Sequence, residues 1–376
     1  MSNMTPNKTS SVIGWDIGGA HLKAVHLDTN GQVISSLQLP CSLWKGLDYL
    51  QRAIVDAQAQ MNEKVALQAF KTGPPSVCHA ITMTGELVDL FENRHQGVCE
   101  IAKAAADLLG EKGLFYAANA GFVPMHDVAT LTKNIASTNW HASASALALH
   151  VQDALFVDIG STTTDIVAIE GGKVLCDGLS DAYRMQTDSL VYTGVVRTPV
   201  MALTQKLDFE GNKTNVAAEY FASMADVYRL TGELAPGYDM AVSADGKGKA
   251  PLESARRLAR MIGHDVNEHD FNKDGQKWIN LAYACRDLHI QQIRTALLKH
   301  LKPHMTIIAA GAGSFLVKAI ADDIGRHFIP AYQAISMRSS VPADLTTQQV
   351  VELCFPAYAV AYLRVKSAFA LKNKPC

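Results

Sequence analysis

The sequence has little that would mark a disulfide-bonded or metal-cluster protein. Its 376 residues include seven cysteines, which are scattered, odd in number and free of any C-x-x-C pair. This usage favours a reduced, cytoplasmic protein with buried thiols. An iron–sulfur or structural zinc site would need closer ligand spacing. The cysteines are Cys41, Cys78, Cys99, Cys176, Cys285, Cys354 and Cys376.

Long apolar runs and a dominant charge are also missing. No run approaches the roughly 18 to 20 apolar residues of a membrane span. The net charge is only −2, which gives no support to binding of nucleic acid or of a membrane surface. Residues 1–10 are polar, lack the apolar stretch of a secretory signal and are predicted to be disordered. We therefore expect small-molecule partners rather than nucleic acid or membrane.

What the chain does contain is typical of a two-domain globular protein. It is 48% hydrophobic and 19% charged, and its length suits two domains better than one core. Helical patterns are predicted over about 212–232 and 251–301, and an apolar helix over about 347–370. A helix over 95–110 is predicted to end at the glycine Gly110.

A turn motif that occurs twice is the most informative feature. The segment 15–23 reads WDIGGAHLK, and 142 positions later 157–165 reads VDIGSTTTD. In both copies an apolar strand ends in Asp-Ile-Gly, a turn of small residues follows, and a further strand, a glycine-containing turn and a third strand complete the unit. This order indicates a duplicated supersecondary structure, and hence two related halves.

The residue types in these turns suit a phosphate clamp with a divalent metal. Glycines permit positive φ and close approach of a ligand, and successive N–H groups and short hydroxyls bind anions. Asp16 and Asp158 are predicted to hold Mg²⁺, and Lys23 to meet phosphate charge. Two ordinary hairpins with capping aspartates are the alternative. The predicted phosphate-binding residues are Gly18, Gly19, Ala20, His21, Gly160, Ser161, Thr162 and Thr163, together with Gly311, Gly313 and Ser314 from a later strand-to-helix crossing.

These elements carry a resemblance to a known superfamily. The two Asp-Ile-Gly turns and the late GAGS element look like the phosphate-1, phosphate-2 and adenosine motifs of the actin/sugar kinase/Hsp70 superfamily. Within it the chain resembles the hydantoinase/oxoprolinase-like group, and more closely the proteins linked to tetrahydromethanopterin-dependent one-carbon transfer. The closer match rests on 83–87, 89–91, Arg94, 97–98, 139–140, 158–166, 197–199, 214–215, Glu219, 225–230 and 244–246, which are spread in order over most of the chain.

The resemblance implies an α/β fold of two ribonuclease-H-like domains, the actin-like ATPase fold, with mixed sheets around a central cleft. We expect domain I over 11–150, domain II over 151–345, and a C-terminal helix over 346–376 that packs back on domain I. Archaeal members of the group include a synthase of methanofuran biosynthesis. A homodimer is expected because such assemblies are common.

The implied activity is a condensation. The phenol oxygen of γ-glutamyltyramine, or of a tyrosine-derived analogue, attacks the methylene of aminomethylfuran-methyl diphosphate, and diphosphate leaves. A metal and aimed donors would neutralise the leaving group. Asp165 and Glu86 are both candidates for the base that the phenol needs. The predicted catalytic residues are thus Asp16, Lys23, Glu86, Asp158 and Asp165.

Three arginines are candidates for binding the substrate's anionic groups. Arg94, Arg197 and Arg229 could each hold a carboxylate or phosphate through a planar guanidinium. For Arg229 a structural ion pair is the equal alternative. Two other functions remain open: an ATP-dependent small-molecule kinase or hydantoinase/oxoprolinase-like enzyme, and a non-enzymatic ATP-switched regulatory or assembly protein. ATP is an optional ligand that the condensation does not require.

Overall fold

The computed structural model describes residues 11–68, 77–110, 112–336 and 351–372. The predicted disordered segment 1–10 lies outside these residues. The chain divides into two compact units: unit 1 comprises Met1–Gln152, Ile169–Tyr183 and Ala331–Cys376, and unit 2 comprises Asp153–Ala168 and Arg184–Pro330. The predicted domains ran without interruption over 11–150 and 151–345. The structure differs because 169–183 and the chain from Ala331 belong to unit 1.

Fourteen strands are present in the described residues. They are β1 Ser11–Ile17, β2 His21–Leu27, β3 Val33–Pro40, β4 Val77–Met83, β5 Gly113–Tyr116, β6 Phe122–Pro124, β7 Ala154–Ile159, β8 Thr164–Glu170, β9 Lys173–Val174, β10 Leu190–Val191, β11 Lys206–Phe209, β12 Asn212–Asn215, β13 Thr306–Ala310 and β14 Phe328–Pro330.

The α-helices of the same residues surround these strands. They are α1 Leu47–Gln68, α2 Arg94–Leu109, α3 Thr132–Ile135, α4 Asn139–Ala148, α5 Asp181–Gln186, α6 Met224–Leu230, α7 Pro251–Arg260, α8 Glu268–Asp274, α9 Gln276–His300, α10 Ser314–Asp323, α11 Ala331–Ser336 and α12 Phe355–Lys372. None of the described helices is long and apolar enough to cross a membrane.

The two large sheets repeat one topology. The first has the order β3-β2-β1-β4-β5-β6, with β1 antiparallel to β2 and parallel to β4. The second has the order β10-β8-β7-β13-β14, with β9 also paired to β8, and β7 parallel to β13. In each, a hairpin unit is followed by parallel strands reached through helices. The prediction of two ribonuclease-H-like α/β folds with mixed sheets is therefore confirmed.

The first sheet is buried between helices on both faces, which explains why β1 is buried at every position. Ile13, Trp15 and Ile17 pack into the core that α1 and α2 cover. Gly14 lies on the opposite face against α12, where a Cβ would stand 2.0 Å from the Ala357 carbonyl oxygen. The helix α12 also contacts β2, β4 and α4. Part of the predicted 346–376 segment lies outside the described residues.

The predicted helix over 212–232 is wrong in its first half. Residues 212–215 form the strand β12, which pairs with β11 in a separate hairpin, and only Met224–Leu230 is helical in this region. The turn contains Glu210 and Gly211, both with positive φ. The predicted helix over 251–301 is divided into α7, α8 and α9. By contrast, the predicted helix over 95–110 is present as α2 and ends at Gly110 as predicted; its N-cap is Asn93.

Candidate functional site

The first Asp-Ile-Gly turn joins β1 to β2 in unit 1. It is closed by the Gly18 N–H, which donates to the His21 carbonyl oxygen at 3.0 Å. Across the hairpin, Lys23 Nζ lies 3.9 Å from Asp16 Oδ2, because these two residues are paired in the strand register. The structure thus places a buried carboxylate and a partly exposed ammonium group beside the turn. The Ala20 carbonyl accepts from the Cys41 N–H.

A second segment, residues 84–87, packs against this turn. The Thr84 N–H donates to the Ile17 carbonyl at 2.9 Å. A Cβ on Gly85 would come within 3.3 Å of the Gly18 carbonyl carbon, and one on Gly19 within 2.7 Å of Val88 Cγ1. These glycines permit the two segments to touch, so Glu86, which comes directly after Gly85, lies near the turn.

Glu86 is the centre of a buried polar cluster in the same unit. It is only 1% exposed, and its Oε1 accepts a hydrogen bond from the Ser137 hydroxyl at 2.5 Å. Arg94 lies 4.0 Å from the same oxygen, donates to Ser137 at 3.5 Å and forms an ion pair with Asp181. The Oε2 atom of Glu86 has no hydrogen-bond partner among the described residues. A carboxyl that is buried and half satisfied is a poor structural element and a suitable proton acceptor.

The surroundings of Glu86 shift its pKa into the range that is useful for acid–base chemistry. Burial raises the pKa of its carboxyl to about 7, against the lowering effects of the Ser137 hydrogen bond and of the nearby Arg94 guanidinium. The Asp181 charge adds to the increase. A group with this pKa is partly ionised at neutral pH and can both accept and return a proton.

The second Asp-Ile-Gly turn, in unit 2, has the same closure as the first. The Gly160 N–H donates to the Thr163 carbonyl oxygen at 2.9 Å, and the hydroxyls of Ser161 and Thr162 lie 3.3 Å apart. Within the described part of the chain, the N–H groups of Ser161, Thr162 and Thr163 donate no backbone hydrogen bond. The turn therefore holds backbone donors and hydroxyls that can bind an anion.

The turn glycines do not use the positive φ that glycine permits. Gly18, Gly19 and Gly160 are not among the positive-φ residues of the structure. Gly18 and Gly19 are explained by close packing, but a Cβ on Gly160 would meet only the Thr163 carbonyl oxygen, at an ordinary 3.7 Å. Neither backbone conformation nor packing in the described fold requires glycine at 160.

Two further segments of unit 2 pack on this turn. The N–H groups of Val196 and Arg197 both donate to the Ser161 carbonyl, at 3.2 and 2.8 Å. A Cβ on Gly194 would lie 2.6 Å from the Gly160 carbonyl oxygen. Residues 194–197 therefore pack against the turn and hold its backbone N–H groups in place.

The GAGS element provides the other support. Gly311 has φ +85°, and a Cβ there would lie 2.3 Å from Asp158 Oδ1 and 2.3 Å from the Ile159 carbonyl oxygen. The Gly313 N–H donates to that carbonyl at 2.9 Å, and Ser314 begins α10. The structure therefore brings Gly311, Gly313 and Ser314 together with Asp158 and the second turn.

The two candidate bases differ in their surroundings. Asp165 Oδ1 accepts from Arg184 Nη1 at 2.7 Å, and Arg184 is itself almost fully buried and bonded to the Ser189 carbonyl. This geometry makes Asp165 an ion-pair partner that is already engaged. Glu86, with a raised pKa and an unpartnered oxygen, is the better proton acceptor.

The three candidate arginines also have different environments. Arg94 is partly exposed at the Glu86 cluster, and Arg197 is exposed beside the second turn. Arg229 instead lies in a buried network, where it donates to Asp226 at 2.9 Å and pairs with Asp239. Its structural role, stated above as the alternative, agrees better with this placement than substrate binding does.

Each of the two motif aspartates has the chemistry of a magnesium ligand within its own unit. No group of three or more His, Cys, Asp or Glu residues that could hold a metal occurs in the described ranges. Asp16 and Asp158 are single carboxylates at strand ends, 5% and 9% exposed. Mg²⁺ commonly uses one or two protein carboxylates, substrate phosphate oxygens and water, so these aspartates suit a metal that arrives with a phosphate.

Several site residues were missed by sequence reasoning. Ser137 and Asp181 reach Glu86 and Arg94 from 51 and 87 positions away, and neither lies in a motif of recognisable spacing. The roles of Arg184 and Gly194 follow only from their contacts in the fold: Arg184 pairs with Asp165, and Gly194 packs against the Gly160 carbonyl oxygen. One local signal was available: Ser137 directly precedes Thr138 and the Asn139-Trp140 start of α4, a segment that carried part of the resemblance.

Comparison with known proteins decides the family. The hydantoinase/oxoprolinase family model matches residues 78–349, which is more than half of the chain. The chain belongs to the hydantoinase/oxoprolinase family.

Two curated relatives carry a more specific name. A (4-{4-[2-(gamma-L-glutamylamino)ethyl]phenoxymethyl}furan-2-yl)methanamine synthase of Methanocaldococcus jannaschii is 27% identical over 358 residues, covering 94% of this chain and 98% of the relative. The protein of the same name from Methanococcus vannielii is 26% identical, covering 59% of this chain and 96% of the relative. A solved ROK family glucokinase from Streptomyces griseus, in complex with glucose and AMPPNP, is 14% identical with a TM-score of 0.44 over 94% of this chain and 99% of that chain.

Proposed function

We propose that the protein is a transferase of methanofuran-type cofactor biosynthesis. It condenses aminomethylfuran-methyl diphosphate with γ-glutamyltyramine, or with a tyrosine-derived analogue, and releases diphosphate. The observation that supports this most is the similarity to the Methanocaldococcus jannaschii synthase, which extends over 94% of this chain and 98% of the relative. A shared fold alone would not identify a reaction.

The reaction balances without a nucleotide. The phenol oxygen forms a bond to the furan-bound methylene carbon, and the bond from that carbon to the diphosphate oxygen breaks with its electron pair. The phenol proton goes to a base, and diphosphate leaves as an anion. The enzyme must therefore supply one proton acceptor and a set of donors for the growing negative charge.

The two turns are suited to the second task. Backbone N–H groups and hydroxyls of 161–163 would bind diphosphate oxygens, and Lys23 would add positive charge at the first turn. Asp16 and Asp158 are each candidates to hold Mg²⁺ with phosphate oxygens, and the ion would supply further neutralisation of the leaving group. The exposed Arg197 would bind a phosphate or the glutamyl carboxylate.

Glu86 is suited to the first task. Its pKa of about 7 lies close to neutral pH, where a general base works best. The carboxyl is 1% exposed, so a neighbouring side chain must move before the phenol can reach it. Burial also keeps water from the carboxyl and so limits hydrolysis of the diphosphate substrate.

The test is a product assay on the purified full chain. The protein, Mg²⁺, the furan diphosphate and γ-glutamyltyramine are incubated without nucleotide, and mass spectrometry and diphosphate release follow the reaction. We expect one ether per diphosphate released, whose mass is that of both substrates less diphosphoric acid. The same assay with tyrosine as acceptor identifies the phenol that is used.

Two further arms separate the alternatives. Product that forms only when ATP is added would overturn the condensation and favour the ATP-dependent enzyme of this family. Glu86→Gln should lose activity while Glu92→Gln, which alters an exposed glutamate of the same loop, should not. Equal activity of both variants would refute the base assignment.

A further inference from the structure

The residue Ser137 combines three unusual features. Its φ is +51°, in the left-handed region that is unfavourable for residues with a Cβ. It is 7% exposed, and its hydroxyl donates to Glu86 Oε1 at 2.5 Å. A glycine at this position would adopt the same backbone at less cost. The side chain therefore has a use that outweighs the strain.

The hydroxyl has a clear electrostatic effect on Glu86. A hydrogen bond donated to a carboxylate favours the ionised form, whereas burial opposes ionisation. The charged groups that act on Glu86 are Arg94 of α2 and Asp181 of α5, which have opposite effects on its pKa. A hydrogen bond from the backbone of Glu86 itself also favours the ionised carboxyl. Among side chains, Arg94 is paired with Asp181 and stands 4.0 Å from Oε1, so the Ser137 hydroxyl is the closest side-chain donor to the carboxyl.

We propose that Ser137 is a positioning residue, retained in a left-handed backbone conformation so that its hydroxyl holds Glu86 in the ionised, proton-accepting form. The hydrogen bond also fixes Oε1, which leaves Oε2 as the oxygen that receives the phenol proton. This inference rests on the proposed function in one respect: the proton acceptor that Ser137 serves is the base of the condensation.

The informative variant is Ser137→Gly, since it removes the hydroxyl and relieves the backbone strain together. Its matched control is Glu210→Gly in the β11–β12 turn, where φ is +47° and the side chain is exposed. Each variant relieves backbone strain by replacing a left-handed residue with glycine, which offsets part of the stability that Ser137→Gly loses with the hydrogen bond to Glu86. Any difference between them then reports the hydroxyl.

Glu86 ionisation is measured directly by NMR titration of ¹³C-carboxyl-labelled glutamate, with the signal assigned through Glu86→Gln. A hydrogen bond to a charged group corresponds to roughly one to two pH units in the titration midpoint. We expect Ser137→Gly to raise the Glu86 midpoint by about that amount, and Glu210→Gly to leave it unchanged. An unchanged midpoint in Ser137→Gly would overturn the inference.

The pH profile of kcat/KM then separates the two proposals. If Glu86 is the base, the acidic limb moves upward with the NMR midpoint, and activity at pH 7 falls by about five- to fifty-fold. If the midpoint moves but the acidic limb does not, Ser137 holds Glu86 as inferred and the base assignment in the proposed function fails.

Discussion

The glycine at position 160 allows a sharp test of the second phosphate turn. A Cβ at this residue would meet only the Thr163 carbonyl oxygen, at 3.7 Å, and the backbone is outside the left-handed region. Gly160→Ala should therefore fold normally. Alanine restricts the unfolded chain more than glycine does, so the free energy of unfolding should rise by about 0.4 to 1 kcal/mol.

Ligand binding should respond in the opposite direction. The added methyl group would occupy space that a phosphate needs to reach the N–H groups of Ser161 and Thr162. Loss of one or two hydrogen bonds to a charged ligand, at about 1.5 to 3 kcal/mol each, weakens binding by at least about tenfold, since each factor of ten is 1.4 kcal/mol.

Urea denaturation and calorimetric titration with Mg²⁺-diphosphate measure the two effects separately. Gly237→Ala is the control, because a Cβ there has no atom of the described residues within 4 Å; it should leave the affinity unchanged. Gly311→Ala is the contrast: with φ +85° and a Cβ 2.3 Å from Asp158 Oδ1, it should lose both stability and affinity. Diphosphate affinity that is unaffected in Gly160→Ala would refute the assignment of this turn.

Three other predictions concern buried charges. Because the pKa of Glu86 is raised to about 7, this residue's contribution to the free energy of unfolding is favourable below pH 4.5 and is lost as the pH rises through 7. Glu86→Gln should remove this pH dependence and raise the free energy of unfolding at pH 8 by up to about 3 kcal/mol, measured by thermal or urea unfolding. Burial lowers the pKa of His289 to about 4, so the stability that this residue contributes above pH 6.5 is lost as the pH falls through 4. His289→Gln should reduce the fall in the free energy of unfolding between pH 6.5 and 4 by about 3 kcal/mol. An unchanged fall would contradict the burial argument. Arg229→Ala should cost about 1.5 to 3 kcal/mol of stability, because Asp226 and Asp239 lose a buried partner and keep Arg257 and Lys249. Its KM should be unchanged, whereas Arg94→Ala should raise KM.

Much of the topology follows from local signals. The repeated Asp-Ile-Gly turns correctly predict the two hairpin units, and Gly110 marks the end of α2. The error over 212–232 arose because a short polar strand has no helical or alternating period of its own. Its pairing with β11 is made by a left-handed turn at Glu210 and Gly211.

The candidate site was predictable only in part, for a related reason. Glu86 and Arg94 are close in sequence, but the contacts that define their chemistry come from Ser137 and Asp181, which are distant in sequence. Burial, which raises the pKa of Glu86, is a property of the folded unit rather than of the residue. Arg229 is a candidate for substrate binding on sequence alone, but in the fold its guanidinium is bonded to Asp226 and Asp239.

The most direct test of the central claim follows the phenol oxygen itself. The acceptor is labelled with ¹⁸O in its phenol group and incubated with the furan diphosphate, Mg²⁺ and the protein, with no nucleotide present. The account predicts an ether that retains the full ¹⁸O label, with unlabelled diphosphate released in equal amount. An unlabelled ether, or an ether that forms only when ATP is added and hydrolysed, would contradict it.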